Sequence, residues 1–296
     1  QQIIDSKARL KTLIKKELLA DAETYGNPRR SSIVKRAESK AFSERDLMTN
    51  DPITVVLSEN GWVRAAKGHE VNGSELSYRS GDRFLASAAG KTNQTAVFFD
   101  NRGRTYALAA HLLPSARGQG EPLSGKINPP PGALFTGLVL DEPEEKYLIA
   151  SDAGYGFVGK VEDMISKNKA GKAYLSVPTG AQSLPPCRIS AEAEQLIAAF
   201  TSEGRLLIFS LKDLPELARG KGNKIINIPS AAVKSRSEVM AHLVVFQESE
   251  TITVHSGKRY INLTLKELTH YRGERARRGL KLPRGFQKVD RVVLNP

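Results

Sequence analysis

Four short stretches of this 296-residue sequence combine glycine with lysine and arginine: residues 115–120 (SARGQG), 167–172 (KNKAGK), 218–224 (ARGKGNK) and 272–279 (RGERARRG). Glycine lets backbone N–H groups come close to an anion, and basic side chains neutralise it, so the chemistry on offer is phosphate binding. One such loop is ordinary solvated surface; four in register make a candidate binding surface. Other chemistries fare worse. Residues 154–159 match G-x-G-x-x-G, but a dinucleotide site needs an acid about 20 residues on, and residues 173–181 contain none. Residues 120–126 begin like a P-loop but end in Ile127, where a metal-binding hydroxyl belongs, and prolines at 114, 122 and 129–131 do not suit a helix there. The five histidines (69, 111, 242, 255, 270) lack metal-ligand spacing. Cys187, beside Pro185-Pro186, has no adjacent base and reads as a small core residue. No G-x-S-x-G supports a serine nucleophile.

A repeat must position these loops. Five segments share one layout: an apolar run, a polar turn closing on glycine, and a second run. The glycines are Gly61, Gly103, Gly154, Gly204 and Gly257, spaced 42 to 53 residues apart. Hairpin turns of this kind usually need positive φ, which favours glycine. Ten or eleven residues past each glycine sits an apolar landmark: Val71, Leu113, Met164, Leu214 and Leu268. Except in the second copy, an acid precedes it. A period near 50 with several strands per unit predicts propeller-like blades, because one sheet cannot bury both faces and a set of blades can. Each glycine/basic loop follows its landmark, and only the first copy lacks one. Trp62 and Tyr155, which follow the hairpin glycine in the first and third copies, read as core residues.

Composition agrees. The net charge is +12 and the isoelectric point about 9.7, which favours a polyanionic partner, nucleic acid first. Between 255 and 291 eleven Lys and Arg face three acids. No run of 18 apolar residues exists, and no secretion leader opens the chain. A lone cysteine excludes an internal disulfide and suits a reducing cytosol. Residues 1–24 read as an amphipathic helix carrying Ile3, Ile4, Leu10, Leu13, Ile14, Leu18 and Leu19, stopped at Gly26-Asn27-Pro28. It either packs on its own domain or ends a longer upstream helix. Opening on Gln1, the chain reads as a piece of something longer. Residues 29–47 form a charged connector. The expected domains are 1–50, a helical connector, and 51–296, an all-β domain.

The repeat, the stretch 113–126 (LPSARGQGEPLSGK), the stretch 150–158 (ASDAGYGFV) and the stretch 219–230 (RGKGNKIINIPS) resemble the C-terminal domain of the A subunit of bacterial DNA topoisomerase IV. The resemblance implies a β-pinwheel, an all-β disc of about five four-stranded blades that exchange strands, after an N-terminal helical segment from the cleavage core. It implies a rim that binds and bends duplex DNA for decatenation and supercoil relaxation during chromosome segregation. It also implies a partner, the topoisomerase IV B subunit, held through an upstream core in a heterotetramer. A fragment monomeric by itself, no membrane insertion, and a cytoplasmic, nucleoid-associated place are implied as well. ATP and Mg²⁺ belong to the implied holoenzyme; no cofactor, metal or catalytic residue is expected within this chain. The related gyrase domain carries a QRRGGKG box. Residues 117–120, 219–222 and 275–279 only echo it, which argues against gyrase-like supercoiling. The candidate DNA contacts are Arg64, Lys67, Arg104, Arg117, Lys126, Lys169, Lys172, Arg205, Arg219, Lys221, Lys224, Lys258, Arg259, Arg272, Arg275, Arg277 and Arg278. The alternative readings are a propeller that binds an acidic protein and, more weakly, a propeller enzyme with a site in its central channel.

Overall fold

The computed structural model describes residues 6–27, 31, 50–190 and 194–295, and the chain divides into two units, residues 1–42 and 43–296. The first unit contains α1 (Lys7–Tyr25), which ends at Gly26. None of its residues is buried, and Leu10, Leu13, Ile14, Leu18 and Leu19 are exposed on it. Ile3, Ile4 and nearly all of the expected connector lie outside the described residues.

The second unit is all-β apart from short helices, and each repeat supplies its own strands. The first repeat gives β1 (Pro52–Ser58), β2 (Trp62–Lys67) and β3 (Phe84–Lys91). The second gives β4 (Thr95–Asp100), β5 (Arg104–Ala109), β6 (Glu121–Pro122) and β7 (Phe135–Leu140). The third gives β8 (Lys146–Ser151), β9 (Tyr155–Lys160), β10 (Lys172–Ala173) and β11 (Cys187–Arg188). The fourth gives β12 (Gln195–Thr201), β13 (Arg205–Ser210), β14 (Asn223–Lys224) and β15 (Met240–Gln247). The fifth gives β16 (Thr251–Ser256), β17 (Arg259–Leu263), β18 (Leu280–Lys281) and β19 (Arg291–Asn295). All five hairpin glycines have positive φ, from 59° to 80°.

Sheet order departs from chain order in one systematic way. The sheets run β3-β1-β2-β6, β7-β4-β5-β10, β11-β8-β9-β14, β15-β12-β13-β18 and β19-β16-β17. The third strand of each later repeat therefore completes the sheet of the repeat before it, the strand exchange of a β-pinwheel. The fifth sheet keeps three strands. In the first repeat, the missing glycine/basic loop and the absence of a donated strand coincide.

Blade cores follow strand periodicity with both faces apolar. Ala96 and Phe98 pack with Ile53, Val55 and Leu57 of the first repeat, whereas Val97 and Phe99 pack with Tyr147, Ile149 and Phe157 of the third. In the fourth repeat Ile197 and Ala199 face the third blade, and Ala198 and Phe200 face the fifth. The landmarks Leu113, Met164, Leu214 and Leu268 are buried in these seams; Val71 is half-buried.

Among the described residues, none of the four apolar clusters joins the first and fifth repeats. The outer face of each end blade is closed otherwise. In the first, residues 68–83 fold back over the sheet: Thr54 Oγ1 donates to the Gly68 carbonyl (2.8 Å) and Arg64 Nη2 to that of Ser77 (2.8 Å). In the fifth, the outer face is polar: Asn295 Nδ2 donates to Thr253 Oγ1, which donates to Asn262 Oδ1. Polar end units are what stacked repeats need to terminate without aggregating.

Candidate nucleic-acid interface

Three of the four glycine/basic loops leave and return along the second hairpin strand of the preceding blade, and in the other, residues 167–172, Thr105 Oγ1 donates to the Met164 carbonyl instead. Ala65 N–H donates to the Pro114 carbonyl, and Ala116 N–H to that of Ala65; Val158 with Pro215 and Leu217, and Ile208 with Tyr271 and Gly273, repeat the pattern. The donated strand then pairs at the start of that same hairpin strand: Glu121 with Val63, Lys172 with Thr105, Asn223 with Gly156, Leu280 with Leu206. Two anchors at matching positions put the loops at one end of the blades, beside the hairpin turns.

The last glycine of each loop is structural. Gly120, Gly171, Gly222 and Gly279 have φ of 69° to 88° and directly precede the donated strands. A Cβ there would press on the carbonyl of Val63, Thr105, Gly156 or Leu206, the residue two past the hairpin glycine each time. Glycine is required because one backbone lies on another. This packing requires the glycines independently of any approach to phosphate.

The predicted basic residues separate into braces and free cations. Arg64, 4% exposed, donates to the carbonyls of Gly118 and Ser77 and lies over the Tyr78 ring (4.9 Å). A guanidinium so enclosed cannot reach a phosphate, which corrects its assignment as a DNA contact. Half-buried Arg104 donates to the Ala170 and Gly171 carbonyls, Arg205 to that of Gly279, and Arg275 to that of Lys224. Each of these arginines ties a loop or donated strand to a neighbouring repeat. Arg278 pairs with buried Glu238 and donates to the Asn227 carbonyl. Arg272 pairs with Glu248 (2.5 Å), Arg277 with Glu274 (2.6 Å) and Lys126 with Glu121 (3.2 Å). Lys224 donates to Asn227 Oδ1, and half-buried Lys172 lies 5.9 Å over the Tyr174 ring.

Lys67, Arg117, Lys169, Arg219, Lys258 and Arg259 are exposed and, among the described residues, make no ion pair or side-chain hydrogen bond. Arg117, Lys169 and Arg219 sit three or four residues before the donated strand in three successive loops. Exposed Lys221 lies 3.8 Å over the Tyr155 ring, and exposed Arg79 3.6 Å over Trp62. Both aromatics are half-exposed; Tyr155 still packs against the buried cluster of the third and fourth blades, as its sequence position suggested, and Trp62 does not join a core cluster among the described residues. They share the position after the hairpin glycine with Arg104, Arg205 and Lys258, facing the loop-bearing end.

Other chemistry is scarce. Among the described residues no His, Cys, Asp and Glu cluster is arranged to hold a metal, and no helix is long and apolar enough to cross a membrane. Burial pushes the phenols of Tyr106, Tyr147 and Tyr174 above their ordinary range, so they stay protonated. Burial also pushes the Cys187 thiol up to about 12. Glu216, at the edge of a cavity, is held below its ordinary range, first by a hydrogen bond from Lys146.

No family model matches the chain. It is 54% identical over 295 residues to the A subunit of DNA topoisomerase 4 from Pseudomonas aeruginosa and 48% identical over 295 to that of Escherichia coli K12; both alignments cover all of this chain. The chain spans about two fifths of the length of those relatives. The solved E. coli ParC C-terminal domain superposes with a TM-score of 0.75 at 47% identity, over 83% of this chain and 99% of that one. The C-terminal domain of DNA gyrase A superposes at 0.59 with 14% identity, covering 83% of each chain, a likeness of fold alone. The sheet-by-sheet strand exchange and near-complete coverage of a ParC C-terminal domain lead to one conclusion: the chain belongs to the family of topoisomerase IV A subunits, as the C-terminal β-pinwheel part.

Proposed function

We propose that residues 51–296 bind and bend duplex DNA along their loop-bearing end and present it to an upstream strand-passage core, reached through the helical connector 1–50. The observation that carries this reading is the set of free cations Arg117, Lys169 and Arg219 at equivalent places in three successive loops. Lys221, Lys258 and Arg259 add to the same end, whereas Lys67, the last residue of β2, lies at the far end of its strand from the hairpin turn. Contacts of this kind read phosphates and shape, not base edges. Bending a site of 20–30 bp by 40–90° costs about 1–6 kcal/mol, which phosphate contacts from several blades would offset. On this reading the parent is an ATP- and Mg²⁺-dependent type IIA topoisomerase that decatenates and relaxes DNA with the B subunit in a heterotetramer, cytoplasmic and on the nucleoid. The pinwheel contributes binding, with no catalytic residue, metal or cofactor of its own.

The test is binding of the chain to a duplex of about 30 bp carrying a bend-sensitive dye pair, across salt. About six phosphate contacts give a log–log slope near −5. A slope that steep with end-to-end shortening supports the proposal. A shallow slope without shortening refutes it and turns attention to an acidic protein partner.

A further inference from the structure

A cavity of about 410 Å³ opens between the third and fourth repeats, at the loop-bearing end. Tyr155, the first residue of β9, forms one wall, with Lys221, Lys224, Asn227, Lys234 and Thr179 around it. Among the described residues, no Asp or Glu lines it. Two cavities of about 560 and 440 Å³ elsewhere in the pinwheel differ, being lined by Glu144, Glu145 and Glu216 or by Glu145 and Glu250.

Lys221 Nζ lies 3.8 Å from the centre of the Tyr155 ring and Lys224 Nζ 5.5 Å from the same centre. Among the described residues, no carboxylate pairs with either ammonium. Two like charges are therefore held beside one ring, and an anion between them would relieve their repulsion. The arrangement is braced from behind. Arg275 donates to the Lys224 carbonyl (2.7 Å) and Arg278 to the Asn227 carbonyl (2.9 Å). On the far wall Gly180, at φ 81°, packs on the Lys234 backbone so closely that a Cβ would lie 3.1 Å from its Cα. Strand exchange fixes the near wall, since Lys224 pairs with Tyr155 in the ladder.

We infer that this pocket seats the sugar-phosphate backbone of DNA. Lys221 and Lys224 take the phosphate oxygens, Lys234 closes the seat from the fourth repeat, and the Tyr155 ring packs against the adjoining sugar. The inference rests on the DNA-binding reading above and names its anchoring point, adding Tyr155 and Lys234 to the candidate contacts. Arg275 and Arg278 are positioning residues here.

The test compares salt-dependent binding of a duplex of about 30 bp by the full chain and three variants. Lys221→Gln/Lys224→Gln lowers the log–log slope by about 2 and affinity at least tenfold. Lys146→Gln/Lys160→Gln removes the same charge where Glu216 and Glu162 already pair with the two lysines, and leaves the slope unchanged. Tyr155→Leu weakens binding several-fold with no change of slope, because it removes a packing surface and no charge. Thermal melts check that each variant is folded. Equal losses in both lysine pairs, or a folded Lys221/Lys224 variant as tight as the parent, overturn the inference while leaving DNA binding standing. A parent chain that binds no DNA overturns the underlying reading as well.

Discussion

Gly171→Ala is the substitution on which the strand-exchange account stakes most. Gly171 has φ 69°, and a Cβ there would lie 2.6 Å from both the Thr105 carbonyl oxygen and the Tyr106 ring. A left-handed φ costs a non-glycine residue about 1–2 kcal/mol. The smaller unfolded-state entropy of alanine returns about 0.4–1 kcal/mol. The contact with Thr105 cannot be relieved by a rotamer, so the donated strand must lift. That weakens the ladder Lys172–Thr105 and Ala173–Arg104 and the bonds from Tyr174 and Leu175 N–H to the Gly103 carbonyl. Two or three hydrogen bonds at about 0.5–1.5 kcal/mol each add to this, and with every term at mid-range the total is about 3 kcal/mol. For a domain of this size that is a melting shift of about 5–15 °C. Hydrogen exchange should quicken first at residues 172–175. Gly118 is the internal control: it sits in an equivalent loop with nothing within 4 Å of an added Cβ. Gly118→Ala should change stability by less than about 0.5 kcal/mol. Equal effects at the two glycines, or a negligible one at Gly171, would mean that the donated strand does not depend on this close backbone approach.

Other expectations follow from named contacts. Arg278→Gln strands the buried Glu238 carboxylate and should cost about 2–3 kcal/mol in urea unfolding, whereas Arg277→Gln, which loses only an exposed pair with Glu274, should cost under about 0.5 kcal/mol; the reverse order would contradict the assigned roles. Cys187 is half-buried, its Sγ donates to the Leu243 carbonyl (3.2 Å) and its pKa is raised to about 12, so a thiol reagent at pH 8 should label it much more slowly in the folded chain than after unfolding. Glu267 accepts from Thr264 N–H and Oγ1 at the start of the helix Leu265–His270, bonds that hold its carboxylate below the ordinary range. Its contribution is therefore full above the unfolded value of about 4.3 and is lost as pH falls through the lower folded value. Acid titration followed by NMR at residues 264–270 should show this helix end loosening in that window, and pH-independent spectra would count against it.

The blade count and hairpins were legible because turn geometry writes itself into single residues: only glycine accepts the positive φ of Gly61, Gly103, Gly154, Gly204 and Gly257 at no cost. The exchange of strands was not readable from pattern, since a two-residue strand such as Glu121–Pro122 carries no alternation; it came from the family resemblance. The charge of the loops was legible, and its division of labour was not. Arg64 follows inward-facing Val63 on β2 and so points to the blade's other face. That face is closed only because residues 68–83 fold back, a tertiary fact without a local signal. Trp62 and Tyr155 read as core because aromatics beside apolar runs usually are, and Tyr155 does pack on the buried cluster of the third and fourth blades. Their place after the turn glycine puts them at the blade end, where Arg79 and Lys221 lie over them. Lys234 was missed because it lies in a short helix apart in the chain from the loop whose lysines it joins.

Strand exchange sets Arg117, Lys169 and Arg219 at equivalent places, and the proposed partner of these free cations is a single polyanion. The most direct measurement is the salt dependence of duplex binding by Arg117→Gln/Lys169→Gln/Arg219→Gln/Lys258→Gln against the parent chain. All four side chains are exposed and, among the described residues, unpaired, so the variant should fold as the parent does. If each cation holds one phosphate, the log–log slope falls by about 3–4 and affinity drops alike for unrelated DNA sequences. An unchanged slope in a folded variant, or a loss confined to one DNA sequence, would contradict the account.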